Sequence, residues 1–226
     1  MDEQPEHKGV TPRQLLLPAA ALVAVTLLIV LFAFSHGATS NSTTLPGGAH
    51  EGTRGGGYYG IRAVPVRTAP EISGLHNDEG KEVRLGQYRG KAVFLTFIYT
   101  HCPNVCPLIA AGLHRVVKML GPRAAHVQVM AVSVDPRGDT PAAVKAFLAA
   151  HQLTGEMQYL IGSAGQLAPI WKQWGVGAAR EVENPDLVAH TALVYGISAT
   201  GKITTIYSAT FQPYELVHDA SLLAAE

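Results

Sequence analysis

Apolar positions along this chain follow three different rhythms, and each predicts a different kind of element. Residues 14–35 carry no charge and are dominated by Leu, Val, Ala, Ile and Phe. A helix of that length crosses a hydrocarbon core about 30 Å thick, so the stretch is expected to be a transmembrane anchor. A cleaved signal peptide has a shorter apolar core of about 7 to 15 residues, and Ala33-Phe34-Ser35 makes a poor cleavage site. Lys8 and Arg13 precede the span and the first basic residue after it is Arg54. The bias of basic residues toward the cytoplasmic side then leaves residues 1–13 in the cytoplasm and exports the rest. Residues 36–57 are built from Gly, Ser, Thr, Asn and Pro with almost no large apolar side chain, the composition of a flexible linker. His36 and His50 lie there as solvated side chains.

From residue 58 to 226 the rhythm changes to that of one folded domain with a single core. Residues 72–85 alternate about Asp78-Glu79-Gly80, the pattern of a hairpin. Continuous apolar runs at 92–99 and 127–134 read as strands buried on both faces. Between them, apolar residues at helical spacing mark a helix over 107–120. Thr140 with Pro141 predicts a cap and first residue for a helix reaching about residue 150. A short strand at 157–161 leads to Ser163 and Gln166, a capping-box pattern for a helix carrying Leu167, Ile170, Trp171 and Trp174. Both tryptophans are expected in the core. Strands at 191–197 and 203–207, joined at Ala199-Thr200-Gly201, precede a last helix after Pro213. Strands separated by helices, then a hairpin and a terminal helix, predict an α/β domain with a mixed sheet flanked by helices, in the order of a thioredoxin-like fold.

Charge narrows the function by exclusion. Seventeen basic residues balance seventeen acidic ones, which gives no electrostatic case for a nucleic-acid partner. Chemistry concentrates instead in Tyr99-Thr100-His101-Cys102-Pro103-Asn104-Val105-Cys106-Pro107, which contains the only two cysteines of the 226 residues. The segment falls where a strand gives way to a helix. Unpaired N–H groups and the positive end of the helix dipole favour thiolate there. The cysteines are four positions apart, so one helical turn would place their Cβ atoms about 5 to 6 Å apart, wider than the roughly 3.5 to 4.5 Å of a relaxed disulfide. Pro107 belongs in the first helical turn, with Cys106 at the helix start and Cys102 in the loop before it. That arrangement leaves both a metal site and a disulfide open.

Two thiolates rarely satisfy a metal ion alone. The third candidate is His190, in Leu187-Val188-Ala189-His190-Thr191, just before the penultimate strand. Thioredoxin-like proteins usually place a cis-proline there, packed against the cysteine turn. An imidazole facing two thiolates makes a set soft enough for Cu(I) and also suited to zinc or Cu(II). His101 is read as a solvated turn residue, while His76, His114, His126, His151 and His218 show no partner at metal spacing. Asp135 and Asp139, in Asp135-Pro136-Arg137-Gly138-Asp139-Thr140-Pro141, are read first as turn-fixing side chains. An acidic wall near the thiols is the second reading.

The cysteine segment, the Asp135-to-Pro141 segment and Ala189-His190-Thr191, in that order, resemble the Sco/SenC family over residues 65–225. The resemblance implies a membrane-anchored, copper-binding thioredoxin-like protein that helps assemble the dinuclear copper site of cytochrome c oxidase. It implies copper ligands at Cys102, Cys106 and His190. It implies as partner the copper-bearing subunit of that oxidase or another copper chaperone. Asn104 stands where members often carry an acidic residue, which leaves the ligands intact. The acidic start, lacking an Arg-rich presequence, places the domain on the periplasmic side of a bacterial inner membrane.

Two other functions compete with metal delivery. The same cysteines could run thiol-disulfide exchange, reducing the cysteines of a copper-receiving protein, with one sulfur attacking and the other resolving. A peroxidase would need Thr-x-x-Cys and a nearby Arg, whereas Thr100 lies two residues before Cys102 and the motif contains no Arg.

Overall fold

The structure, a computed structural model, describes residues 57–180, 182 and 187–226. The anchor expected at 14–35 and the linker at 36–57, apart from Gly57, lie outside the described residues. Among the described residues no helix is long and apolar enough to cross a membrane.

The domain is built outward from β4 (Ala92–Ile98), whose seven residues are all buried. Such a strand must have cover on both faces, and its alternating side chains show what provides it. Phe97 packs on Trp174 of α3 (Ala164–Trp174), with ring centroids 5.7 Å apart. Phe94, three residues back and therefore on the opposite face, meets Tyr207 at 6.0 Å. On that second face α4 (Pro213–Ala225) packs against β4 and against α1 (Val105–Leu120). The ring of Phe211 crosses α1 at Gly112, where an added Cβ would come within 2.7 Å of it.

The main sheet has six strands in the order β1-β10-β9-β4-β5-β6. β4 runs parallel to β5 (Val127–Ser133), and β5 runs parallel to β6 (Met157–Leu160). The crossovers are α1 and α2 (Pro141–Ala150). On the other side β9 (Leu193–Ile197), β10 (Lys202–Ser208) and β1 (Ile61–Thr68) are antiparallel. This is the thioredoxin-like arrangement that the element order predicts.

Local signals hold at the helix ends. Thr140 Oγ1 accepts from Ala143 N–H at 3.2 Å, with Pro141 as first helical residue. Ser163 and Gln166 form the reciprocal capping box of α3. The expected hairpin about Asp78-Glu79-Gly80 is present but short, as β2 (Leu75–His76) against β3 (Glu82–Val83). Two features have no counterpart in the sequence reading. β1 adds an edge strand, and β7 (Ala178–Arg180) pairs with β8 (Val188–His190) in a two-stranded sheet of its own.

Topology brings the three motifs to one end of the main sheet. The cysteine turn leaves the carboxyl end of β4, and the Asp135 loop leaves the carboxyl end of the parallel β5, with Ile98 opposite Ser133. β9 is antiparallel to β4, with Val194 opposite Thr96. Its amino end, and the residues just before it, therefore reach the same end of the sheet.

Candidate metal centre

Cys102, Cys106 and His190 meet there. One ligand atom from each lies within 4.8 Å of the others. Both thiols are buried and unbonded to each other. Cys106 is the second residue of α1, and Cys102 sits in the preceding loop. The Cys106 N–H donates to Cys102 Sγ at 3.4 Å, so a free amide of the helix start already points at the first sulfur.

The two sulfurs are electrostatically unequal. A hydrogen bond from the Cys106 thiol, and then the neighbouring His190 side chain and the backbone amides of Cys106 and Asn104, outweigh burial and bring the Cys102 thiol down to about 3. Cys106 moves the other way, held up by its hydrogen bond to the Cys102 thiolate and by burial. At neutral pH the pair therefore carries one negative charge and one proton.

His190 is half-buried, and its ring nitrogens have distinct surroundings. Nδ1 lies 3.2 Å from Thr191 O. A carbonyl oxygen only accepts, so Nδ1 is the donor in that bond, and Nε2 is the nitrogen that a neutral ring would offer to a metal. Nε2 faces Cys106 Sγ at 3.6 Å. Ligating histidines are commonly oriented this way, through a backbone carbonyl on the second nitrogen. With metal–sulfur bonds of roughly 2.3 Å and metal–nitrogen bonds of roughly 2.0 Å, a tetrahedral or trigonal ion holds S and N about 3.5 to 3.7 Å apart. The residues present thus fit a soft metal ion, with the proton on Cys106 as the group it must displace.

The walls of the site are polar and buried. Asp139 accepts from Thr100 N–H and Thr100 Oγ1 at 2.8 Å each and from Ser133 Oγ at 2.6 Å. Its Oδ2 also lies 3.0 Å from the hydroxyl of Tyr159. Burial still lifts its carboxyl above the ordinary carboxylate value. Asp139 thereby ties the residue that opens the cysteine turn to the end of β5, which is the turn-fixing role. Asp135 caps its own loop through Arg137 N–H at 3.1 Å and pairs with Arg180.

The other sequence candidates stay outside the cluster. His101 is exposed, its Nδ1 3.0 Å from Thr100 Oγ1. His114 faces Glu156 at 3.3 Å, His151 packs on Phe147 at 4.5 Å, and His218 lies 2.8 Å from Asp219. Sequence reasoning did not single out Tyr99 or Arg180. Tyr99 is 2% exposed, its ring stands edge-on to His190 at 5.7 Å, and its hydroxyl accepts from Val188 N–H at 3.3 Å. Burial, with the Cys102 charge beside it, raises the Tyr99 phenol above its ordinary value.

The SCO1/SenC family model matches residues 74–224, a span that includes all three motifs. The chain belongs to the SCO1/SenC family. Among its relatives, the SCO1 protein homolog of Bacillus subtilis is 27% identical over 146 residues, 64% of this chain and 76% of that one. The apo Sco1 protein of Thermus thermophilus has the same fold, with a TM-score of 0.64 and 30% identity, covering 74% of this chain and 96% of that one. ScoI of Bradyrhizobium japonicum, a structure with copper bound, gives a TM-score of 0.62 at 28% identity, covering 69% and 99%. For a SCO1/SenC chain, then, the domain fold and the convergence of two sulfurs and one imidazole stand together.

Proposed function

We propose that this chain is a copper chaperone that holds one copper ion through Cys102, Cys106 and His190 and passes it to the copper-bearing subunit of cytochrome c oxidase or to another chaperone. The single observation that carries this reading is the clustering of the three donor atoms within 4.8 Å. Two thiolates and an imidazole are soft donors that favour Cu(I). The copper-bound relative from Bradyrhizobium japonicum supports the choice of metal. The chain's own steps are plain. Cys102 offers a ready thiolate to the arriving ion, Cys106 gives up its proton as it binds, and His190, aimed by Thr191 O, closes the set. Handing over reverses this order, with the partner's ligands replacing these one at a time. Residues 14–35 anchor the domain in a bacterial inner membrane, on the periplasmic side, by the basic residues before the span.

The test is a Cu(I) titration of the reduced protein against a competing chelator. One copper per chain is expected, lost when Cys102 or Cys106 becomes Ser. Full affinity in the Cys102→Ser protein would refute the proposal.

A second reading rests on the inequality of the sulfurs. The Cys102 thiolate could attack a partner's disulfide sulfur, forming a mixed disulfide that Cys106 then resolves, leaving the partner's thiols reduced and Cys102 joined to Cys106. A thiolate of such low basicity is a weak nucleophile, and the resolving thiol is buried and strongly protonated. Copper binding is hindered less, because the metal ion itself displaces the Cys106 proton as it binds. Reduction of a disulfide-bearing copper receiver at a rate unaffected by His190→Ala, with negligible copper uptake, would favour exchange.

A further inference from the structure

His190 is not carried by the main sheet. It ends β8, in a two-stranded sheet separate from the six-stranded one, so something must hold that hairpin against the cysteine turn. Besides the packing of buried Val188, two polar contacts from the main domain help do so, one on each of its strands. On β8, Val188 N–H donates to the buried hydroxyl of Tyr99, the residue that directly follows β4. On β7, Arg180 pairs with Asp135, which is 3% exposed and lies just beyond β5. Arg180 and Val188 are themselves opposite each other in the hairpin register, and His190 lies opposite Ala178 on the same ladder. The two contacts thus grip one rung of the hairpin, two residues from the imidazole.

We propose that Tyr99 and the Asp135–Arg180 pair are positioning residues that clamp the β7–β8 hairpin so that His190 Nε2 meets the sulfur pair. This deepens the copper reading and rests on it for the identity of the ion. The clamp explains why a buried tyrosine stands beside the cysteine turn with its oxygen turned toward a strand amide. It also gives Asp135 a task beyond its own loop. With both sulfurs fixed by the cysteine turn, a clamped third donor makes the hairpin the part whose placement sets how tightly the ion is held.

The test uses the full-length chain in two arms. In the metal-free protein, Tyr99→Phe keeps the ring against His190 and removes only the oxygen. The Val188 amide is expected to exchange its hydrogen at least tenfold faster, while amides of β4 and β5 keep their rates. In the second arm Cu(I) affinity is measured for Tyr99→Phe with Arg180→Gln. A loss of roughly tenfold to a hundredfold is expected, the scale of groups that orient ligands. Arg180→Lys should restore part of it. Adding both substitutions to His190→Ala should cost nothing further, because a clamp acts only through the residue it holds. The proposal is overturned if Val188 exchange is unchanged, or if the two substitutions weaken copper equally in the His190→Ala background. A wild-type chain that takes up no Cu(I) would end the copper reading, and the exchange arm would still decide the clamp.

Discussion

The cysteine turn and the β7–β8 hairpin both supply ligand atoms to one place, yet they are built in opposite ways. The turn leaves a strand buried at all seven positions and enters a 16-residue helix, so the core fixes it from both sides. The hairpin has three residues in each strand, a half-buried His190 at its end, and partners drawn from the main domain by a phenol and an ion pair. Two donors come from rigid architecture and the third from an element docked onto it. On the proposed copper-chaperone reading, a site that takes up an ion and later releases it benefits from that division. Fixed sulfurs set the selectivity for a soft ion, and the docked imidazole adds affinity that can be withdrawn.

The comparison can be broken most severely at the turn. Cys106→Ser should lower Cu(I) affinity by roughly a thousandfold or more, since a hard hydroxyl replaces a soft thiolate. A chelator competition measures it. Next in size is the turn's foundation. Asp139→Ala removes the acceptor for Thr100 and Ser133 in a buried site, and should destabilise the fold by about 3 kcal/mol in chemical denaturation. Retention of full stability would show that the turn does not depend on this carboxylate.

The hairpin should respond less. His190→Ala is expected to weaken Cu(I) binding by roughly a hundredfold while changing stability by under about 1 kcal/mol, because the residue is half-exposed and outside the main sheet. The smallest effect sharpens the account of the sulfurs. The Cys102 thiol is held low by its neighbours and the Cys106 thiol high, so the free pair keeps one proton. The metal-bound pair holds fewer protons than the free pair, so affinity rises with pH. In the His190→Ala protein, where only the sulfurs contribute, the slope should be about tenfold per pH unit, one proton per copper. Calorimetry in two buffers of different ionisation enthalpy would read the same proton directly. A slope of two protons would mean that Cys102 is not a preformed thiolate.

The two regions also differed in how legible they were in the sequence. The run at 92–99, the break into a helix at the cysteines, Thr140 with Pro141 and the Ser163–Gln166 box are local signals, and the structure follows them within a residue or two. Their periodicity survives because both faces or one clear stripe must be buried. The β7 and β8 strands are three residues each, too short for any rhythm. β1 was hidden because it is an edge strand with mostly exposed side chains and Pro65 within it. The three residues that cluster, Cys102, Cys106 and His190, were singled out by residue type and motif order. Their support was not, because Asp135 and Arg180 are 45 residues apart in sequence. Tyr99 reads only as the last apolar position of a strand until tertiary structure shows where its oxygen points.

The central claim is that three donors from two differently built regions bind one ion. X-ray absorption at the copper edge of the reduced, Cu(I)-loaded protein tests it most directly, beside the His190→Ala form. The account predicts two sulfurs and one imidazole nitrogen in the wild type, and loss of the imidazole scattering alone in the variant. Identical spectra from both proteins, or a wild-type copper without two sulfur neighbours, would contradict it.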